Sequence, residues 1–328
     1  MDNKTEDYHP DILGDGFKKL NLKLTDDYEG DVIATLIRRN TTNISERAIL
    51  YVHGFNDYFF QKELAIKFNE HGYNFYALDL RKYGRSYLNH QKFNNVLSLL
   101  EYDEELDLSL KIIKAENNHK VILMGHSTGG LILTNYAINH LQSNLFQGLI
   151  CNSPFYDFNL NDLAKTVGIP ILSFIGNYFP NIPVTGGFTK CYGYSLHKEK
   201  YGEWDYSLAW KPHDIPKVNL GFIRAIHNAQ KNMRQNSTIT VPTLIMYSST
   251  SISEHHWSEK FKEADAVLNV HDINTYAKKI NGDVKVQVIE CGMHDLVLSK
   301  KTVREQVYKH MFDWINNNFN KSQKSVSK

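Results

Sequence analysis

Gly125-His126-Ser127-Thr128-Gly129 sets a serine hydroxyl midway between two flanking glycines. The apolar run Val121-Ile122-Leu123-Met124 precedes it, and helical spacing through Leu131, Asn135 and Ile138 follows. A serine at such a strand-to-helix junction stands on a tight, strained turn with its hydroxyl above the sheet edge. The glycines are needed because a side chain there would strike the neighbouring strand or helix. A glycine-rich turn with a helix-capping serine would read the same locally. A serine hydroxyl is also a weak nucleophile near neutral pH, so it needs a base, and the base needs an orienting acid.

The base expected here is His294, in Gly292-Met293-His294-Asp295 just past the last core strand, Val284 to Ile289. Of the 15 histidines it alone directly follows a core-type strand downstream of Ser127. The acid should come after the run at 241–247. Asp265 is preferred, because it precedes a short apolar clip leading into the helical residues 272–280. Glu254 and Asp272 compete for the role. Attack on a carbonyl also needs two backbone N–H donors for the oxyanion. Thr128 N–H follows the serine, and Phe55 N–H lies in His53-Gly54-Phe55-Asn56, after the third core strand.

The elements that must position these groups alternate. Residues 17–24 and 31–37 read as half-buried strands. Apolar strands are expected at 48–52, 75–78, 121–124, 148–151 and 241–246, and a closing strand at 284–289. Helical spacing falls at 61–71, 101–116, after Gly129, and through Val303, Val307, Met311 and Ile315. Alternating strands and helices with continuous apolar strands mean a mostly parallel sheet covered on both faces. The rhythm fails between the runs ending at Cys151 and beginning at Val241, where aromatic residues and prolines gather. Residues 1–153 and 238–320 are therefore expected to form the core, and 154–237 a cap insertion. The Lys/Ser-rich residues 321–328 are expected to form a disordered tail.

Composition bounds the rest. The 328 residues are 42% hydrophobic and 22% charged, with a net charge of +1. That balance suits a globular protein and suggests no dedicated nucleic-acid surface. Cys151, Cys191 and Cys291 match neither a disulfide framework nor a zinc pattern. The polar start Met1 to Asp7 lacks a signal peptide's apolar run, and no stretch reaches a membrane span's length. A cytoplasmic protein with no metal and no organic cofactor is expected. His255 and His256 beside Glu254 read as a polar surface loop, because adjacent helical histidines point apart.

Four segments resemble the α/β-hydrolase superfamily, and within it the monoacylglycerol lipase, lysophospholipase and serine aminopeptidase-like branch. They are His53-Gly54-Phe55, Leu78 to Ser86, Gly125 to Gly130, and Asp265-Ala266-Val267 with His294-Asp295. The second resembles the branch's D-x-R-G-x-G-x-S segment, but Lys82-Tyr83 stand where it carries a glycine and a variable residue. The likeness spans about residues 17–153 and 238–318. It implies an α/β-hydrolase fold and gives the acid's role to Asp265. It also implies hydrolysis of a small-molecule carboxylic ester with an apolar group, through an acyl-serine. Aromatic residues such as Phe155, Phe174, Tyr178, Trp204, Tyr206 and Trp210 would suit an apolar substrate if they face the site. Two other readings stand beside this one. A serine aminopeptidase would bind a free amine through Glu199, Glu203 or Asp205, and a hydrolase-fold binding protein would have lost turnover.

Overall fold

The computed structural model describes residues 7–184, 189–254 and 256–320. The expected tail 321–328 and His255 lie outside the described residues. Nine strands form the main sheet among these residues, in the order β1-β2-β3-β5-β4-β6-β7-β10-β11. They are β1 (His9–Pro10), β2 (Lys18–Lys23), β3 (Ile33–Arg39), β4 (Arg47–Val52), β5 (Asn74–Asp79), β6 (Lys120–His126), β7 (Gly148–Asn152), β10 (Thr243–Ser248) and β11 (Val284–Ile289). The first three strands run antiparallel and join β5 antiparallel. From β5 to β11 every pairing is parallel.

The strand residues split between two cores, one on each face. Leu50, Val52, Leu123 and Ile245 point to one, and Ile49, Tyr51, Ile122 and Met246 to the other. This is the two-residue period of a strand buried on both sides. Helices α2 (Asp103–Ala115), α3 (Thr128–Asn139) and α7 (Val270–Ala277) cover the first face. Helices α1 (Lys62–Glu70) and α8 (Lys301–Phe319) cover the second. No described helix is long and apolar enough to cross a membrane.

Residues 154–237 lie between β7 and β10, which are neighbours in the sheet. They hold α4 (Ile169–Tyr178), α5 (Lys190–Leu196) and α6 (Leu220–Gln235), with a small ribbon of β8 (Pro183–Val184) and β9 (Val218–Asn219). Helix α6 packs on α3 and sends Phe222, Ile226 and Met233 into the first core. Helix α4 packs on α6 through Gly176, where a methyl group would sit 2.5 Å from the Leu220 carbonyl oxygen. Its other side is an exposed apolar row of Ile171, Phe174 and Tyr178, continued backwards by Val167 and Leu163.

Lys82, the departure from the expected glycine, has a glycine's backbone, with φ of 66°. Its ammonium is fully buried and lies 2.7 Å from both Asp27 and Glu29. Two carboxylates and the Tyr28 ring over the amine hold a conformation that a lysine otherwise rarely adopts.

Candidate active site

Strand β6 ends at His126, and α3 begins at Thr128. Ser127 alone makes the turn between them, at φ 51° and ψ −115°. The bend has room only because its glycines lack side chains. A methyl group on Gly129 would sit 2.4 Å from the Val52 carbonyl oxygen, and one on Gly125 would sit 2.4 Å from that of Gly129.

Three separated residues meet at this turn. The Ser127 hydroxyl lies 3.0 Å from His294 Nε2. His294 Nδ1 lies 2.9 Å from Asp265 Oδ2. All three are buried, and Ser127 is the most open at 8%. Asp265 Oδ1 accepts from the N–H groups of Val267 and Leu268, both at 2.8 Å. Those bonds fix the carboxylate plane and leave Oδ2 for the imidazole.

Asp265 reaches this place despite the long segment 249–264. Its N–H donates to the Thr250 carbonyl and its own carbonyl accepts from Ile252 N–H, both at 2.8 Å. The loop thus closes on itself and returns Asp265 to the end of β10. The other two acids lie elsewhere. Glu254 takes Lys260 and Ser258 at 2.8 Å each, and Asp272 takes Lys165.

The loop expected to supply the second oxyanion donor begins where β4 stops. His53 Nε2 accepts from Leu80 N–H at 3.1 Å, so the ring proton sits on Nδ1, which donates to the Gly54 carbonyl at 2.8 Å. A trans peptide points its N–H opposite to its C=O. Holding the Gly54 carbonyl therefore also sets the direction of Phe55 N–H. Among the described residues no protein acceptor is found for the N–H of Phe55 or of Thr128. Gly54 itself lies against the serine, since a methyl group there would be 3.0 Å from Ser127 Cβ.

A polar network behind the turn was not read from the sequence. The Asn152 carbonyl accepts from Ser127 N–H at 2.9 Å, and its Nδ2 donates to Asp295 Oδ1 at 2.7 Å. Asn152 Oδ1 accepts from Leu296 N–H at 3.2 Å. Asp295 Oδ2 accepts from Gln61 Nε2 at 3.2 Å. Asn152 thereby ties the serine turn to the loop carrying His294. Its signal in the sequence is an asparagine closing the otherwise apolar strand Gly148-Leu149-Ile150-Cys151.

One group here has metal-ligand character: Asp57, His126 and Asp295, whose donor atoms lie within 4.8 Å of one another. Lys211 Nζ already stands 2.8 Å from Asp57 Oδ1, and both Asp295 oxygens hold N–H donors. The positive charge is thus supplied by a side chain.

Burial holds the imidazoles of His53 and His126 below the usual 6.5. For His126 the nearby His294 adds to the effect. Folding therefore favours the neutral form of both rings, while the unfolded chain takes up their protons below pH 6.5. Stability must fall as pH drops through that value, because the unfolded chain then binds more protons than the folded one. The thermal midpoint should decline between about pH 7 and pH 5, and His126→Gln should flatten the slope. An unchanged slope in the variant would assign the decline to other groups.

The sheet order, the serine turn and the insertion after β7 define an α/β-hydrolase. More narrowly, the family model of the serine aminopeptidases, S33, matches residues 44–300, and the chain belongs to that family. No protein of curated function matches the sequence. Solved structures do match in fold. A soluble variant of monoglyceride lipase from Saccharomyces cerevisiae, in complex with a substrate analog, superposes with a TM-score of 0.67 at 18% identity, over 90% of this chain and 94% of that one. The monoacylglycerol lipase of Paleococcus ferrophilus gives 0.63 at 15% identity, over 86% and 99%. A thermophilic esterase from Thermogutta terrifontis gives 0.57 at 17% identity, over 91% and 98%.

Proposed function

We propose that this chain is a serine hydrolase that cleaves carboxylic esters through an acyl-serine intermediate. The observation carrying this reading is the continuous contact from Asp265 to His294 to Ser127, at 2.9 and 3.0 Å. In the first step His294 Nε2 takes the Ser127 proton as the oxygen attacks the ester carbonyl. Asp265 keeps the proton of His294 on Nδ1 and stabilises the imidazolium. The N–H groups of Phe55 and Thr128 receive the oxyanion. His294 then gives its proton to the departing alcohol, and water releases the acid by the reverse sequence.

An ester with an apolar group suits the 154–237 insertion, read here as a cap. Phe174 and Tyr178 stand exposed on α4, one helix away from the point where Phe222 of α6 packs on Phe55, with ring centroids 5.2 Å apart. Several other cap aromatics serve as packing. Tyr156 is fully buried, Trp204 donates to the Leu298 carbonyl, and Tyr206 and Trp210 pack on Phe60 and Tyr58.

The matched family's description favours a second reading, a peptide substrate held by its free amine. The acids available for that amine are largely engaged: Glu203 pairs with Arg304, and Asp205 with Lys198 at 2.5 Å. A fluorophosphonate probe should label the wild-type protein and leave Ser127→Ala unlabelled. p-Nitrophenyl esters of increasing acyl length should turn over faster than an aminoacyl anilide. Cleavage of the anilide alone would overturn the ester assignment. A protein that takes no label would be a binder rather than an enzyme.

A further inference from the structure

Residues 56–60 run on directly from Phe55, and one segment of the insertion grips most of them. Asn56 turns the chain at φ 53°, and its Nδ2 donates to the Pro212 carbonyl at 3.0 Å. Asp57 is 1% exposed and meets Lys211 Nζ at 2.8 Å through Oδ1. Ser207 N–H donates to the Tyr58 hydroxyl at 2.7 Å, and the Trp210 ring stands edge-on to Tyr58 at 5.1 Å. Phe60 packs on Tyr206 with centroids 4.8 Å apart. From the other side Asp79 accepts from Phe59 N–H at 2.8 Å, which anchors the far end of the loop to the core.

The ion pair is the informative contact. Lys211 is itself buried, and among the described residues Asp57 Oδ2 has no hydrogen-bond partner. A buried pair with one oxygen unmet is a poor source of stability compared with apolar packing. It does fix position, because neither charge can leave the other without being stranded. The loop it fixes begins one residue after the Phe55 N–H. His53 sets one end of the Gly54–Phe55 peptide, and the turn at Asn56 sets the other.

We propose that residues 206–213 form a strap that positions the Phe55 N–H, with Lys211 acting through Asp57 as a positioning residue. The inference rests on Phe55 being an oxyanion donor. The insertion then does more than cover the site, because its seating on the loop sets the geometry that the tetrahedral intermediate needs. Loss of a whole oxyanion donor costs about 10²–10³ in kcat, and a displaced donor should cost part of that.

The test measures kcat, KM and thermal midpoint with p-nitrophenyl butyrate for Lys211→Met, Lys211→Met/Asp57→Asn and Tyr58→Phe. Lys211→Met should lower kcat about ten- to a hundredfold, with KM within about twofold. It should also lower the midpoint, because Asp57 is left stranded. The double variant removes that charge, so its midpoint should recover while kcat stays low. Tyr58→Phe loses only the acceptor for Ser207 N–H and should fold normally, with kcat reduced severalfold. It decides the matter if Lys211→Met does not fold. Recovery of kcat together with the midpoint in the double variant would reduce the pair to a structural role and overturn the strap. So would a wild-type kcat in Tyr58→Phe. A wild-type protein that takes no fluorophosphonate label would sink the hydrolase reading and the strap with it. Normal labelling of the wild type beside unimpaired variants would sink the strap alone.

Discussion

Asp265→Asn should lower kcat on p-nitrophenyl butyrate by about ten-thousandfold, with the circular dichroism spectrum unchanged. The size follows from what an amide can do in this position. Asp265 Oδ1 receives two backbone N–H groups, from Val267 and Leu268, and Oδ2 receives His294 Nδ1. An asparagine can place its oxygen on only one side. Facing His294, it turns its NH₂ against two N–H donors. The favoured orientation gives the oxygen to Val267 and Leu268 and points the NH₂ at His294. The imidazole must then accept at Nδ1 and carry its proton on Nε2, where it can no longer take one from Ser127. Glu254→Gln and Asp272→Asn should keep near-normal rates, since each acid is engaged by a lysine elsewhere. A near-normal rate in Asp265→Asn would remove it from the mechanism.

Ser127 and His294 were legible because short-range chemistry marks them. Glycines that cannot carry a side chain flank the serine, and the histidine follows the last strand, whose valines at 284, 286 and 288 alternate with polar residues. Asp265 was harder. Its place depends on the pairing of Ser251 with Asp265 across an enlarged loop, and such a closure leaves no periodic trace in sequence. The mostly parallel sheet covered on both faces followed from strand and helix periods, and the α/β-hydrolase assignment from the resemblance of four segments, but β1, only His9–Pro10, is too short to show any period. Within 154–237 the period fails for a physical reason. Helix α4 keeps an apolar side exposed and α6 buries one against α3, so no single polar-apolar rhythm runs through the insertion. His53 entered the sequence reading only as a neighbour of the oxyanion amide. Its role, holding the Gly54 carbonyl, depends on Leu80 N–H choosing its tautomer, a contact across two strands. Asn152, Gln61 and Lys211 were missed for the same reason, since each acts on a partner distant in the chain.

Ser127→Ala should lower kcat by about a millionfold, and adding His294→Ala should cost little more. Among the described residues the His294 Nε2 atom has one hydrogen-bond partner, the Ser127 hydroxyl at 3.0 Å. Without that hydroxyl the imidazole has no proton to take, so its removal subtracts nothing further. The remaining rate, about 10³–10⁴ above the uncatalysed reaction, would come from substrate binding and the oxyanion donors. Those donors belong to main chain that Ser127→Ala leaves in place, since Phe55 and Thr128 contribute through backbone N–H groups. The comparison requires kcat for both single variants and the double. Two independent losses that multiplied would mean that serine and histidine act separately. Ser127 would then be merely the residue that starts α3, and the contact between the two side chains would carry no chemistry.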